Sequence, residues 1–196
     1  MGFSTSTPYP MNGLLAAIGT AVRRKVFISY YHKADQAYRD SFERAFSHLF
    51  ISKSVKPGDI TTDLSTDYIK RLIQEGYISD ASVVIVLIGS KTYCRKHVDW
   101  EISAGLNKKV GGYSGLIGIL LPDIPLSAAS EYQYDAIPAR LADNAKSGFA
   151  AIYSWSWISA SPDRVKTAIE EAFTARIDKA SKIDNGRTQL GRNLCE

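Results

Sequence analysis

Apolar residues recur along this chain in two patterns. Residues 25–31 (Lys-Val-Phe-Ile-Ser-Tyr-Tyr), 82–88 (Ser-Val-Val-Ile-Val-Leu-Ile) and 116–121 (Leu-Ile-Gly-Ile-Leu-Leu) are short apolar runs without strict alternation. Such runs predict strands covered on both faces. Residues 148–153 predict the last strand, and 52–63, with Pro57-Gly58, a loop holding a short strand. Between these runs the spacing turns helical. Tyr38, Phe42, Ala45, Phe46 and Leu49 form one stripe over 35–51. Tyr68, Ile69, Leu72 and Ile73 form another, with Ser65 or Thr66 as its cap and Gly76 near its end. A third helix is predicted over 95–108 on the ridge Val98, Ile102 and Leu106. The fourth starts at Ser161-Pro162-Asp163 and carries Val165, Ile169, Ala172, Phe173 and Ile177 on one face. Residues 123–147, with Pro125 and Pro138, read as irregular, and the polar stretch from about Ile183 reads as a fraying tail.

Strands alternating with helices imply an α/β fold, a doubly wound, mainly parallel sheet of about five strands with helices on both faces. The expected organisation is an N-terminal extension (1–22), one domain (23–182) and a polar tail (183–196). Ligands of such folds sit beyond the carboxyl ends of the strands, here 29–35, 89–93 and 121–123.

Composition narrows the function. In 196 residues, 45% are hydrophobic and 22% charged, ordinary values for a globular chain. The net charge of +4 welcomes an anionic ligand, but Arg23-Arg24-Lys25 is an isolated basic run beside a strand, so no nucleic-acid partner is expected. Residues 1–10 have no basic leader region, and 11–22, interrupted by Asn12, Gly13 and Gly19, is too short to span a bilayer. No membrane partner is expected. Cys94 and Cys195 lie far apart and read as no disulfide framework, so the expected location is a reducing cytoplasm.

The helix over 95–108 is the place to look for chemistry. Glu101 lies one residue before Ile102, about 100° round the helix, at the margin of the buried ridge; there it should be half-buried and face a cleft. Asp99 points nearly the opposite way and cannot pair with it, so this helix offers one working carboxylate, not the two of ordinary glycoside hydrolysis. Spacing alone favours a surface Glu101 paired with Lys108 or another surface cation. Other constellations fail. Cys94 and His97 lack a second ligand pair for zinc. The glycines at 111–115 precede a strand and do not link strand to helix, which excludes a phosphate loop. No Gly-x-Ser-x-Gly elbow is present. Ser29-Tyr30-Tyr31 stands where a phospho-acceptor domain of this architecture would need acids.

Residues 68–106, through Cys-Arg-Lys-His-Val-Asp-Trp-Glu-Ile at 94–102, resemble the TIR-like B component of Thoeris antiphage defence, and TIR domains generally. Residues 25–31 are similar to the family's first strand, with its aromatic-Ser-aromatic ending. The likeness is good from Arg24 to about Leu121, and Trp155 and Trp157 are loosely similar to the C-terminal part. His97 holds the position usually held by Trp, which alters packing or stacking beside the Glu and leaves the Glu in register. The resemblance implies a TIR-like, flavodoxin-like fold in which Glu101 is catalytic. It implies cleavage of the nicotinamide–ribose bond of NAD+, taken as substrate, with no cofactor and no metal. The product would be an ADP-ribose signal, hydrolysed, cyclic or conjugated, that activates a separate effector, and self-assembly is a further expectation. Substrate-binding candidates at the strand ends are Ser29, Tyr30, Tyr31 and His32, then Ser90, Lys91 and Thr92, with Asp63 before the second helix and His97 beside Glu101. The alternatives are a non-catalytic TIR-like assembly module and a hydrolase or transferase acting on nucleosides.

Overall fold

The computed structural model describes residues 22–53, 76, 78–124 and 133–195. Asp63, the helix expected from Tyr68 to Gly76 and nearly all of the N-terminal extension lie outside them, apart from Val22 and Gly76. The described elements, in chain order, are β1 (Arg24–Ser29), α1 (His32–Phe46), β2 (Phe50–Ser52), β3 (Val83–Ile88), α2 (Lys96–Leu106), β4 (Gly115–Leu120), α3 (Ala139–Lys146), β5 (Ala151–Ser154), α4 (Trp155–Ile158) and α5 (Pro162–Asp178). A single 3₁₀ turn, Thr92–Cys94, leads into α2.

All strand pairings are parallel, and the order is β2-β1-β3-β4-β5. The connection reverses direction between β1 and β3, which makes their carboxyl ends the natural crevice of the sheet. Every residue of β3 is buried, and its side chains divide by the two-residue period of a strand. Val84, Val86 and Ile88, with Phe27, meet Val98, Trp100 and Ile102 of α2 and Leu141 of α3. Val83, Ile85 and Leu87, with Val26 and Ile28, meet Phe42 and Phe46 of α1 and Val165 and Ile169 of α5. Burying each large aliphatic side chain contributes about 1.5–3 kcal/mol, so the unbroken run at 82–88 fixes the sheet's centre. Gly115 lets α5 approach: a Cβ there would collide with the carbonyl oxygen of Ala172. Helix α5 starts as the sequence predicts, with the Ser161 hydroxyl accepting from Asp163 N and Pro162 in the first turn.

Five expectations are corrected. The first helix ends at Phe46, and Ile51 belongs to the short edge strand β2. The stretch 123–147 contains a helix, α3, which begins after Pro138. It escaped detection because its buried side chains include Arg140 and Asn144 beside only Leu141 and Ala142. Ile177 is exposed, because at 100° per residue it points away from the buried face of Val165, Ala168, Ile169, Ala172 and Ala175. The tail does not fray. It turns back across α2 and α3, and Cys195 joins Cys94 in a disulfide across 101 residues, with Cα atoms 5.6 Å apart. Nothing in the sequence separation of the two cysteines announces that return.

The tail is held by buried charge. Arg140, 0% exposed, donates from Nε to Asp99 Oδ1 at 2.9 Å, and its other nitrogens reach the side chain of Asn185 and the carbonyl of Arg187, both at 2.7 Å. Asp99 Oδ2 also accepts from Leu190 N at 2.8 Å. No described helix is long and apolar enough to cross a membrane. Removing one member of a buried pair strands the other's charge, at a cost of about 3–5 kcal/mol. Arg140→Ala and Asp99→Ala should each lower the unfolding free energy measured in urea by that order. The double variant should cost clearly less than the sum, as a double-mutant cycle will show.

Candidate active site

Ser29 is the last residue of β1 and lies in register with Val86 of β3. It shares the sheet face of Phe27, two residues earlier, so its side chain points toward α2. From that helix Glu101 comes to meet it: Ser29 Oγ donates to Glu101 Oε2 at 2.5 Å. The pair sits at the β1/β3 crevice. Ser29 is 1% exposed and Glu101 5%, so the carboxyl is deeper than the half-buried margin that helical spacing predicts. The physical reason is that residues 98 to 106 of α2 are all buried: sheet, α3 and returning tail enclose the helix on several sides.

Burial dominates the chemistry of Glu101. Desolvation pushes its pKa from 4.5 up to about 8, against the pull of the Ser29 hydroxyl, which favours the ionised form. Asp99, two residues away, meets Arg140 instead. One helix thus carries two acids, one neutralised by a cation and one held, among the described residues, by a single hydroxyl.

The other candidates spread around this centre. Tyr30 is packed on the opposite face of the sheet, donates to Gln36 Oε1 at 2.8 Å and stands 4.2 Å from the His32 ring. Burial raises its phenol, opposed by Arg39 and by the hydrogen bond to Gln36. Tyr31 lies under the Arg95 guanidinium, 3.8 Å from its ring centre. His32 and His97 are exposed, and both imidazoles are held below their ordinary pKa, first by partial desolvation and then by a nearby cation: Arg39 for His32, and Lys96 for His97, which also feels His32. His97 stands edge-on to Trp100 at 5.1 Å. Ser90 and Lys91 are exposed in the turn after β3. Ser90 N donates to Asp123 Oδ2 at 2.8 Å, and Ser90 lines a cleft of about 470 Å³ with Tyr93, Ile124, Gln133, Asp135 and Ala136. The structure therefore brings Ser29 and Glu101 into contact and gathers His32 and His97 near one another, while Ser90 faces the β4 side.

A profile of the family described as "Thoeris protein ThsB, TIR-like domain" matches residues 27–124, half of the 196-residue chain. The chain belongs to this family. The match runs from β1 to the turn after β4, so it includes Ser29, Glu101 and the turn between β3 and α2. Among solved structures, the TIR domains of an activated Roq1 resistosome that recognises the pathogen effector XopQ align with a TM-score of 0.39 and 9% identity, over 81% of this chain and 84% of that one. No curated protein is matched.

Sequence reasoning passed over Asp35 in this ThsB-family domain. Its carboxyl is 2% exposed and accepts from Thr92 Oγ1 at 3.1 Å; the same hydroxyl accepts from Gly89 N at 2.9 Å. A Cβ on Gly89 would collide with the Asp35 carboxyl, so only glycine fits there. Asp35 thereby clasps the first turn of α1 to the turn after β3. The signal available in the sequence was an acid four residues past Tyr31, in the aromatic pair that follows β1, and much later Gly-x-x-Thr after the central strand.

Glu101 also links stability to pH. The folded chain keeps a proton that the unfolded chain loses above about 4.5, so the stability contributed is fully present below that pH and is lost as pH rises through about 8. Glu101→Gln removes the buried charge and keeps an acceptor for Ser29. Its melting temperature should exceed wild type by several degrees at pH 8 and converge with it near pH 4.5, as calorimetry at both pH values will test.

Proposed function

We propose that this TIR-like domain cleaves the nicotinamide–ribose bond of NAD+ and releases an ADP-ribose signal, in its cyclic form, to a partner effector. The observation that carries the reading is the lone carboxyl of Glu101, buried at the β1/β3 crevice on the Ser29 hydroxyl, within the segment matched by the family.

The chemistry suits a single carboxyl. The nicotinamide ring is already cationic and leaves without a general acid, while the ribose develops oxocarbenium character. A carboxylate beside that ribose stabilises the growing charge, more strongly in a dry site than in water. At rest Glu101 holds its proton up to about pH 8. A bound pyridinium lowers that pKa, so substrate binding expels the proton and leaves the anion where it is needed. Ser29 orients the carboxylate, and His32 and His97 border the entry. The cation is then captured by a hydroxyl of the same dinucleotide. Glu101 is nearly inaccessible in the resting domain, which makes this a closed state that opens on assembly or on substrate. The same burial favours a second reading, an assembly module that never turns over.

Mass spectrometry of NAD+ incubated with the domain, under dilute and assembling conditions, separates the two readings. Glu101→Gln should reduce nicotinamide release by at least about 10²–10³-fold, the usual loss for one transition-state electrostatic contact; unchanged turnover would sink the proposal. A second measurement addresses the proton. In wild type kcat/KM should rise with pH to a plateau above about 8. In Ser29→Ala that limb should move to higher pH, because the hydroxyl that favours the anion is gone.

A further inference from the structure

Helix α2 has no capping side chain of its own. The tail supplies one: Asn193 Oδ1 accepts from Lys96 N, the first amide of the helix, at 3.0 Å. Leu190 adds two bonds, its carbonyl accepting from Trp100 Nε1 at 2.8 Å and its amide donating to Asp99. The far end of the tail is clipped at the turn before α2, where Leu194 N donates to Cys94 O at 3.0 Å and Cys195 completes the disulfide. Arg95, whose guanidinium lies over Tyr31 at the exit of β1, also donates from Nη1 to Cys195 O at 3.3 Å. A covalent link therefore controls a segment that caps the helix carrying Glu101 and reaches the rim of the crevice.

The geometry points to Cys94–Cys195 as a thiol–disulfide exchange site, opened by a dithiol reductant, that holds or releases the tail capping α2. The two sulfurs are unequal. Cys94 is fully buried, while Cys195 is half-buried, so an incoming thiolate reaches Cys195 Sγ. The S–S bond breaks and its electron pair leaves on Cys94 Sγ, in the 3₁₀ turn that leads into α2. Once protonated, that thiol has an acceptor waiting, the Lys91 carbonyl 3.0 Å from Sγ. The reductant's second thiol then displaces Cys195. Two electrons and two protons pass from the dithiol, which departs as its own disulfide. Without the clip, the end of the tail is held at the head of α2 by hydrogen bonds such as those of Asn193 and Leu194, which open far more readily than a covalent bond.

Exchange at Cys94–Cys195 does not depend on NAD+ cleavage and is tested without NAD+. The full chain is prepared with the pair oxidised and again after dithiothreitol, with thiols counted by alkylation and mass spectrometry. Trypsin cleavage after Arg187 and Arg192 and amide exchange over residues 96–99 are then followed. Reduction should speed cleavage after Arg192 at least ten-fold and raise exchange at the head of α2, and Cys195→Ser should behave as reduced without any reductant. Equal cleavage and exchange in the two redox states, or cysteines that fail to pair under oxidant, overturns the proposal. If Cys195→Ser does not fold, the comparison of oxidised and reduced wild type decides alone.

Discussion

Helix α2 is buried from Val98 to Leu106, and each polar group on it needs a partner within the protein, because an unpaired buried polar group is costly. Asp99 takes Arg140 and the amide of Leu190, Trp100 takes the carbonyl of Leu190, and the Ser103 carbonyl takes Asn185. Most of these partners come from α3 and the tail. The constraint thus explains why a polar C-terminal stretch is ordered, and why an arginine with no exposed surface is tolerated.

Glu101 meets the same constraint and receives the least. Its described partner is a hydroxyl, which cannot offset the loss of water as a guanidinium does for Asp99. The proton is retained instead, up to about pH 8. A strongly perturbed acid at a crevice is a common mark of function. Here it gains weight from its position, since the β1/β3 reversal is where a sheet of this order opens.

The crevice is framed by contacts that are themselves buried. Asp35, Thr92 and Gly89 lock the turn after β3 to the start of α1, and Arg95 connects Tyr31 to the tail. Both walls of the crevice are therefore set by side chains distant in sequence from Glu101 or from one another.

What the sequence determined by itself was local. Unbroken apolar runs marked β3 and β4 because a strand covered on both faces leaves no polar position. Ser161-Pro162 marked the start of α5 because the first amides of a helix need a cap and proline has none to lose. The spacing of Val98, Ile102 and Leu106 placed Glu101 beside a buried ridge and turned Asp99 away from it, and the family's motif put its Glu in register there. Only the tertiary structure decided the rest: the depth of Glu101, the Ser29 hydroxyl against it, the clasp at Asp35, helix α3 with its buried arginine, and the return of Cys195 to Cys94. Each of these depends on groups dozens of residues apart meeting in a water-poor interior, and the pairing of a buried charge leaves no period in the chain for a pattern to reveal.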